Sequence, residues 1–447
     1  MALPPGPWTP GIIALLSWMR SPIESFAEGF ARWGDVYTIK NPLFGREVVI
    51  SHPALVKQIF TGDPDVYHAG EANLGVAPVV GPRSVLLLDG AAHHRERKLL
   101  MPPFHGERLG VYAEAIRSIT ERVIDALPAG QEISILPAMQ ELTFDVILET
   151  VFGARERDSA SIAALRERLT ALVDHAQSPL GMLWMLPMFQ RDLGPLTGWA
   201  RLKRHIAEAD ASIFEIIAQA RAAGSAAEPR SDVLSLLLSA RDEAGEPMSD
   251  GELRDELITL LLAGHETTAV ALAWAIDELG HRPEIVAQIE AELRAAPEGA
   301  PAPQPYLDAV IKEVLRLHPI APMLVRRTAA PVTLRDYEIP PQTYLVICIH
   351  NVHHHPEFWP SPAEFQADRF LGKKVDPYAY LPFGGGSRRC IGMAFALLEM
   401  RIVLSTWLKK VRFSTPRPPA KTTLRSFLFA PDGGTRVVIE PLSSAAP

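Results

Sequence analysis

The chain has 447 residues, 47% of them hydrophobic and 21% charged, with a formal net charge of -8. That balance fits a globular protein able to enclose a bulky ligand, and it lacks the basic block that nucleic-acid binders carry. Two cysteines, Cys348 and Cys390, exclude a disulfide framework, a four-thiolate zinc site and an all-cysteine iron–sulfur cluster. Residues 1–10 are proline-rich, and the apolar stretch 12–16 is far shorter than a membrane span. The expectation is therefore a soluble, cytoplasmic protein with no membrane anchor and no nucleic-acid partner.

In chain order, residues 21–34 have helical spacing. Two strand-like runs, 36–39 and 47–51, flank the turn-like 41–45 and predict a β-hairpin. From Glu107 to about Leu408 the pattern is mainly helical, with segments at 110–126, 136–152, 159–177, 196–222, 231–240, 249–280, 283–295 and 305–317. Strand-like exceptions are 331–338, 344–349 and 437–439. Residues 224–229 and 295–305 read as loops between helices. With no repeat and no linker, the prediction is one domain over residues 1–447, with a large α-rich lobe and a small β-rich lobe.

Residues 383–392, Phe-Gly-Gly-Gly-Ser-Arg-Arg-Cys-Ile-Gly, deliver Cys390 from a glycine-dense loop into a helical pattern from Met393 through Leu408. Glycines such as Gly384 and Gly392 allow backbone shapes and close approach to a flat ligand that side chains would block. Amides at a helix start can donate to a thiolate, and the helix dipole favours its charge. Arg388 is placed to reach an anionic group at that ligand's edge. For the glycines alone, a buried structural cysteine after an ordinary turn is the plainer alternative.

Residues 263–268, Ala-Gly-His-Glu-Thr-Thr, lie inside the predicted helix 249–280, where glycine and threonine are poor choices. The Thr267 hydroxyl can bond the Ala263 carbonyl, and a local opening can hold water. Small residues beside an acid–alcohol pair, Glu266 and Thr267, suit oxygen activation with proton supply. Gly264 alone would serve equally for close helix packing. His265 is assigned packing or hydrogen bonding, not metal ligation.

Glu313 and Arg316 are three apart on one helical face, amid Leu307, Val310, Ile311, Leu315 and Leu317. Burial of that pair would demand a further partner. His93 and Arg97, four apart, can grip one anion together, although residues 93–98 alone would read as a basic surface helix. Either His93 or His94 points inward, and spacing to Arg97 favours His93. The histidines of 350–355 look like a metal tract, but the strand before them and Pro356-Glu357-Phe358-Trp359-Pro360 after them favour a structural stretch. Cys348, in a β-branched run, reads as a small buried apolar residue.

The order Phe, two residues, Gly, one, Arg, one, Cys, one, Gly resembles the haem-binding loop of the cytochrome P450 superfamily, and Phe383, Gly386, Arg388, Cys390 and Gly392 fill its positions. Residues 263–268 look like that family's oxygen-binding helix. Glu313 and Arg316 are similar to its buried pair, which Arg369 would join; Ala367 stands where the family often has proline. Residues 93–98 look like its propionate-binding helix, with Arg326 and Arg388 as further propionate contacts. With a Leu3-Pro4-Pro5-Gly6-Pro7 lead-in, the likeness spans nearly the whole chain.

The resemblance implies a mainly-α triangular prism with a minor β lobe, holding haem b (iron protoporphyrin IX) through Cys390. Ala263, Gly264, Phe383, Gly384 and Gly392 would border the haem. Glu266 and Thr267 would supply protons, and Glu313, Arg316 and Arg369 would brace the loop behind the haem. One atom of O2 would enter a C–H or C=C bond of a hydrophobic small molecule, such as a fatty acid, terpenoid or steroid. No flavin or nicotinamide domain is recognisable in these residues, so electrons would come from a separate ferredoxin, or flavodoxin, with its NAD(P)H reductase. Docking would use Arg95, Lys98 and Arg389 on a monomeric protein. The pocket is expected from segments 67–85, 178–199, 257–263, 320–324 and 427–429, the second including the Met-rich stretch 179–189. The alternatives are a peroxide-driven enzyme, against which the acid–alcohol pair counts, and a haem protein that only binds ligands.

Overall fold

A capping box starts the longest helix. The Ser249 hydroxyl accepts the Glu252 amide at 3.2 Å, and the Glu252 carboxylate accepts the Ser249 amide at 2.7 Å. From there Asp250–Gly280 runs 31 residues with apolar side chains on every face. In the computed structural model, which describes residues 3–7, 11–42, 44–106, 108–153, 160–177, 190–191, 194, 197–223, 232–295 and 303–442, it is the central element. The helix is long and apolar enough to cross a bilayer, yet 72% of its apolar window is buried inside the protein, as in a core helix. It packs on the helices Leu136–Phe152, Pro305–Leu317 and Met393–Lys410. Around them stand Arg108–Asp125, Ala160–Gln177, Gly198–Ala223, Val233–Ser239 and Pro283–Ala295. Each falls within two residues of its predicted bounds.

The β-rich lobe contains the expected hairpin, Val36–Asn41 against Gly45–Ile50, with Val36 opposite Ile50. Gly45–Ile50 runs parallel to Tyr344–Cys348, which pairs antiparallel with Met323–Thr328, and Tyr67–His68 closes the sheet. Side chains alternate across the sheet, as period two requires. Val48, Ile50, Leu345 and Ile347 pack with the helix Pro53–Thr61, while Val49, Val346 and the fully buried Cys348 face Phe26. Arg436–Pro441 extends the strand expected at 437–439 and lies between Glu132–Ser134 and Val411–Ser414.

Some expectations are corrected. Residues 331–338 are not one strand but a hairpin, Val332–Leu334 against Tyr337–Ile339, because Arg335 turns the chain at φ 52°. The helix bearing His93 begins at Gly90 rather than at His93 and ends at Leu100. The helices Gly11–Arg20, Pro53–Thr61 and Ile349–His353 were not foreseen, nor was the hairpin Thr422–Arg425 with Leu428–Pro431. The loop read at 224–229, most of that at 295–305 and the apolar stretch 179–189 lie outside the described residues.

Candidate functional site

The cysteine loop is closed by its own backbone: the Cys390 amide donates to the Phe383 carbonyl at 2.9 Å. Gly386 is required twice over. Its φ of 64° is a left-handed conformation, and any side chain there would run into the Phe60 carbonyl. The Cys390 side chain is accessible, yet burial pushes the thiol pKa up, against the opposing pull of the Gly392 amide, Arg97 and Arg389. The Gly392 amide at the start of Met393–Lys410 is the expected helix-end donor to sulfur.

Above that loop, arginines and one neutral histidine converge. His93 is 5% exposed while His94 is exposed, so the inward histidine is the one whose spacing matches Arg97. Burial first, then the charges of Arg388 and Arg97, depress the His93 pKa to about 4. Arg326 is 7% exposed, stacks over the Phe60 ring at 5.3 Å and, among the described residues, its side chain donates only to the Val325 carbonyl, at 2.9 Å. Burial lowers its pKa to about 10, with Arg388 adding repulsion. Neither Arg326 nor Arg97 forms an ion pair among the described residues. A buried cation without a counter-ion is costly, so this pocket suits an anion.

Arg388 is less free than its sequence position suggests. It donates to the Val85 carbonyl at 2.9 Å and pairs with Asp89 at 2.6 Å. Asp89 also accepts the amides of Ala69, Gly70 and Glu71, each at 2.9 Å, and thereby fixes the turn beside the pocket. A thiol presented by a helix start, glycines clearing the backbone away and a cationic edge form a donor set that fits haem b with its two propionates.

The oxygen helix contributes the other wall. Leu260, Ala263, Gly264 and Thr267, one helical face, escape burial in a helix that is otherwise buried apart from Leu262 and its two ends. The Thr267 hydroxyl donates to the Ala263 carbonyl at 2.6 Å, as expected. Gly264 serves both of its readings: it borders the open face, and a Cβ there would stand 3.0 Å from Ile147 of the adjacent helix. Glu266 is buried and held by groups that sequence reading missed. Gln140 Nε2 donates to it at 2.7 Å, and Arg425 Nε lies 3.0 Å away. His265 packs edge-on against Phe144 at 5.0 Å, and burial lowers its pKa, which suits the packing role given to it.

Glu313, Arg316 and Arg369 meet. Arg316 donates twice to the Glu313 carboxylate, each bond 2.8 Å, and both side chains are fully buried. Arg369 Nε stands 3.3 Å from Glu313, and the Gln366 amide donates to the same carboxylate at 2.8 Å. Arg316 also reaches the carbonyls of His353, Pro362 and Glu364. The turn containing Ala367 is closed by the Arg369 amide on the Gln366 carbonyl at 3.1 Å. His353 is structural, its Nδ1 bonded to the Arg316 carbonyl at 3.0 Å and its Nε2 accepting the Leu381 amide at 2.7 Å.

Asp35, His52 and His355 bring possible metal-ligand atoms within 4.8 Å of one another. However, each Nδ1 accepts a backbone amide, Ala54 on His52 at 3.1 Å and Glu357 on His355 at 3.3 Å. That places the proton on Nε2, which donates from His355 to Asp35 at 3.1 Å. Imidazoles in this tautomer donate rather than ligate.

The docking cations need revision. Arg95 is engaged by Asp242 and Glu252 at 2.7 and 2.9 Å and by Glu96, while Lys98 pairs with Glu243 at 2.7 Å. Of the three, Arg389 alone has no ion-pair partner among the described residues. In the expected pocket segments, residues 79–85 are tied to the oxygen helix. Asp255 accepts the Arg83 amide at 2.9 Å, Glu256 accepts the Val85 amide at 2.6 Å, and Thr259 bonds Ser84 at 2.8 Å. Leu74 and Phe427, in two of those segments, are exposed, as is neighbouring Leu86.

A family model described as Cytochrome P450 matches residues 4–435. Putative cytochrome P450 135B1 of Mycobacterium tuberculosis and Mycobacterium bovis is 38% identical over 438 residues, 98% of this chain and 91% of that protein. Putative cytochrome P450 137 of Mycobacterium tuberculosis is 37% identical over 412 residues, 92% of this chain and 84% of that one. Among solved structures, retinoic acid-bound cyanobacterial CYP120A1 superposes with a TM-score of 0.84 at 24% identity, covering 99% of this chain and 100% of that one. The P450DA heme domain gives 0.83 at 23% identity, with 98% of each chain covered. The mainly helical prism with its β-rich lobe is thus the fold, and the chain belongs to the cytochrome P450 family of haem b monooxygenases.

Proposed function

We propose that this protein, as a single domain over residues 1–447, oxygenates a large apolar molecule of the fatty acid, terpenoid or steroid kind. Its electrons would come from a separate ferredoxin, or flavodoxin, with its reductase. The observation that carries the reading is the open stripe Leu260, Ala263, Gly264 and Thr267 on a buried helix, with the acid Glu266 beside it. Exposed Leu74, Leu86 and Phe427 in or next to the pocket segments support an apolar substrate.

Bound haem would supply oxygen binding and O–O cleavage, with Cys390 thiolate as the iron ligand. His93, Arg97 and Arg326 would hold the propionates, whose charge answers the two arginines, while neutral His93 would donate a hydrogen bond. Phe383, Gly384, Arg388 and Gly392 would border the ring from the cysteine side. Thr267 would release the Ala263 carbonyl to present its hydroxyl to the open stripe. Glu266 would turn from Gln140 and Arg425 to renew the proton on that hydroxyl. Arg425 is partly exposed and offers the acid a route to solvent. Electron-partner docking would centre on Arg389.

The test supplies O2, a surrogate ferredoxin with reductase and a panel of apolar candidates that shift the haem spin state. Reductant-dependent product formation exceeding peroxide-driven turnover is expected. Faster turnover with peroxide would overturn the reading.

A further inference from the structure

Half of the ten large hydrophobic side chains exposed among the described residues gather at one corner of the β-rich lobe. The helix Gly11–Arg20 has no fully buried residue and no acid. Its inner side rests on the helix Pro22–Trp33 and on the first hairpin strand: Trp18 meets Phe26 of that helix edge-on at 6.2 Å. Ile12, Ile13, Leu16 and Met19 point away, 56%, 54%, 59% and 40% exposed. This inverts the usual surface-helix pattern, in which the outer face is polar. Phe44, in the turn of the first hairpin, is exposed too. The start of the helix adjoins that turn, since a Cβ on Gly11 would lie 2.8 Å from the Lys40 carbonyl and 3.2 Å from Pro42. Helix and turn therefore present one apolar patch.

We propose that this patch, Ile12, Ile13, Leu16, Met19 and Phe44, docks on the surface of an anionic phospholipid bilayer. Charge selects that occupant. Arg20 closes the helix and Arg46 follows the hairpin turn, both exposed and neither ion-paired among the described residues, and exposed Lys40 stands in the same turn region. A cationic rim around an apolar centre is what anionic headgroups over acyl chains complement. A second copy of the chain is the weaker fit: five partly exposed side chains offer a few hundred Å2, below the ~800 Å2 per partner of a standard interface. Ten residues span about 15 Å, half the hydrocarbon thickness, so the helix lies in the interface and does not cross it. The proposal is independent of the substrate reading.

The holoenzyme is sedimented with large vesicles of phosphatidylcholine alone and of phosphatidylcholine mixed with phosphatidylglycerol. Binding stronger to the mixed vesicles is expected. The double variant Ile13→Glu/Leu16→Glu should lower the partition coefficient at least about tenfold, with haem content and the reduced carbon monoxide spectrum unchanged. Arg20→Ala/Arg46→Ala should weaken binding to the mixed vesicles and leave phosphatidylcholine binding as it was. A tryptophan placed in the patch itself, Met19→Trp, should be quenched by brominated lipids well beyond the quenching of wild-type emission, which tests the patch without relying on the charged variants. The proposal is overturned if the wild-type protein stays in the supernatant with both vesicle types, or if the Glu variant binds like wild type. It is also overturned if that variant abolishes a concentration-dependent dimer while vesicle binding is absent.

Discussion

Replacing Glu313 with alanine removes the one carboxylate that Arg316, Arg369 and the Gln366 amide share in a fully buried site. The Arg316 guanidinium keeps three carbonyl acceptors but loses its counter-charge. Breaking a buried pair from one side costs about 3–5 kcal/mol, because the surviving ion stays buried. An unfolding entropy of ~2.1 cal/mol/K per residue makes the slope near 0.9 kcal/mol/K for a chain of this length. The melting temperature should therefore fall by about 3–6 °C for cooperative unfolding, and haem loading should fall with it, since the pair braces the turn at Gln366–Arg369. Glu313→Gln keeps an acceptor for the Gln366 amide and should lose roughly half as much. The assay is differential scanning calorimetry alongside haem content per chain. A Glu313→Ala protein that is fully haem-loaded and melts within about 1 °C of wild type would refute the reasoning.

Arg326→Leu should weaken haem retention yet leave the apoprotein equally stable or more so, because it removes a buried charge that forms no ion pair among the described residues; haem-transfer rates and apoprotein melting check both signs, and a destabilised apoprotein would contradict this. Thr267→Ala and Glu266→Gln should keep reductant consumption while diverting it to peroxide, lowering product per electron about tenfold or more; the ratio of product to reductant measures it, and unchanged ratios would remove both residues from proton delivery. Burial raises the Glu256 pKa to about 9, so between about pH 4.5 and 9 the folded chain keeps a proton that the unfolded chain has released, and stability falls as pH rises through that window. Glu256→Gln, which can still accept the Val85 amide, should flatten that slope in urea titrations at pH 6 and 8.5; an unaltered slope would show that Glu256 is ionised when folded.

Much of the site could be read locally. The Cys390 loop, the Glu313–Arg316 pair, the Thr267–Ala263 bond and the inward facing of His93 follow from spacings of ten residues or fewer, which helix and turn geometry convert directly into contacts. Gln140 and Arg425 could not be read this way. They reach Glu266 from a separate helix and from a hairpin that exists only through its own pairing, and neither carries a local pattern. Asp89 was likewise silent, because its partners are backbone amides 18 to 20 residues upstream and an arginine 299 residues downstream. The ion pairs of Arg95 and Lys98 were silent for the same reason: both read as a free basic face until Asp242, Glu243 and Glu252 are brought against them. Residues 331–338 read as one strand because the turn at Arg335 lacks the glycine or asparagine that marks left-handed backbone.

The central claim is that Cys390 holds the haem as a thiolate. The direct measurement is the absorption spectrum of the purified protein, reduced under carbon monoxide, beside that of Cys390→Ala. The account predicts a strongly red-shifted Soret band in the wild-type protein and its loss in the variant. A band typical of histidine-ligated haem, or a red-shifted band that survives in Cys390→Ala, would contradict it.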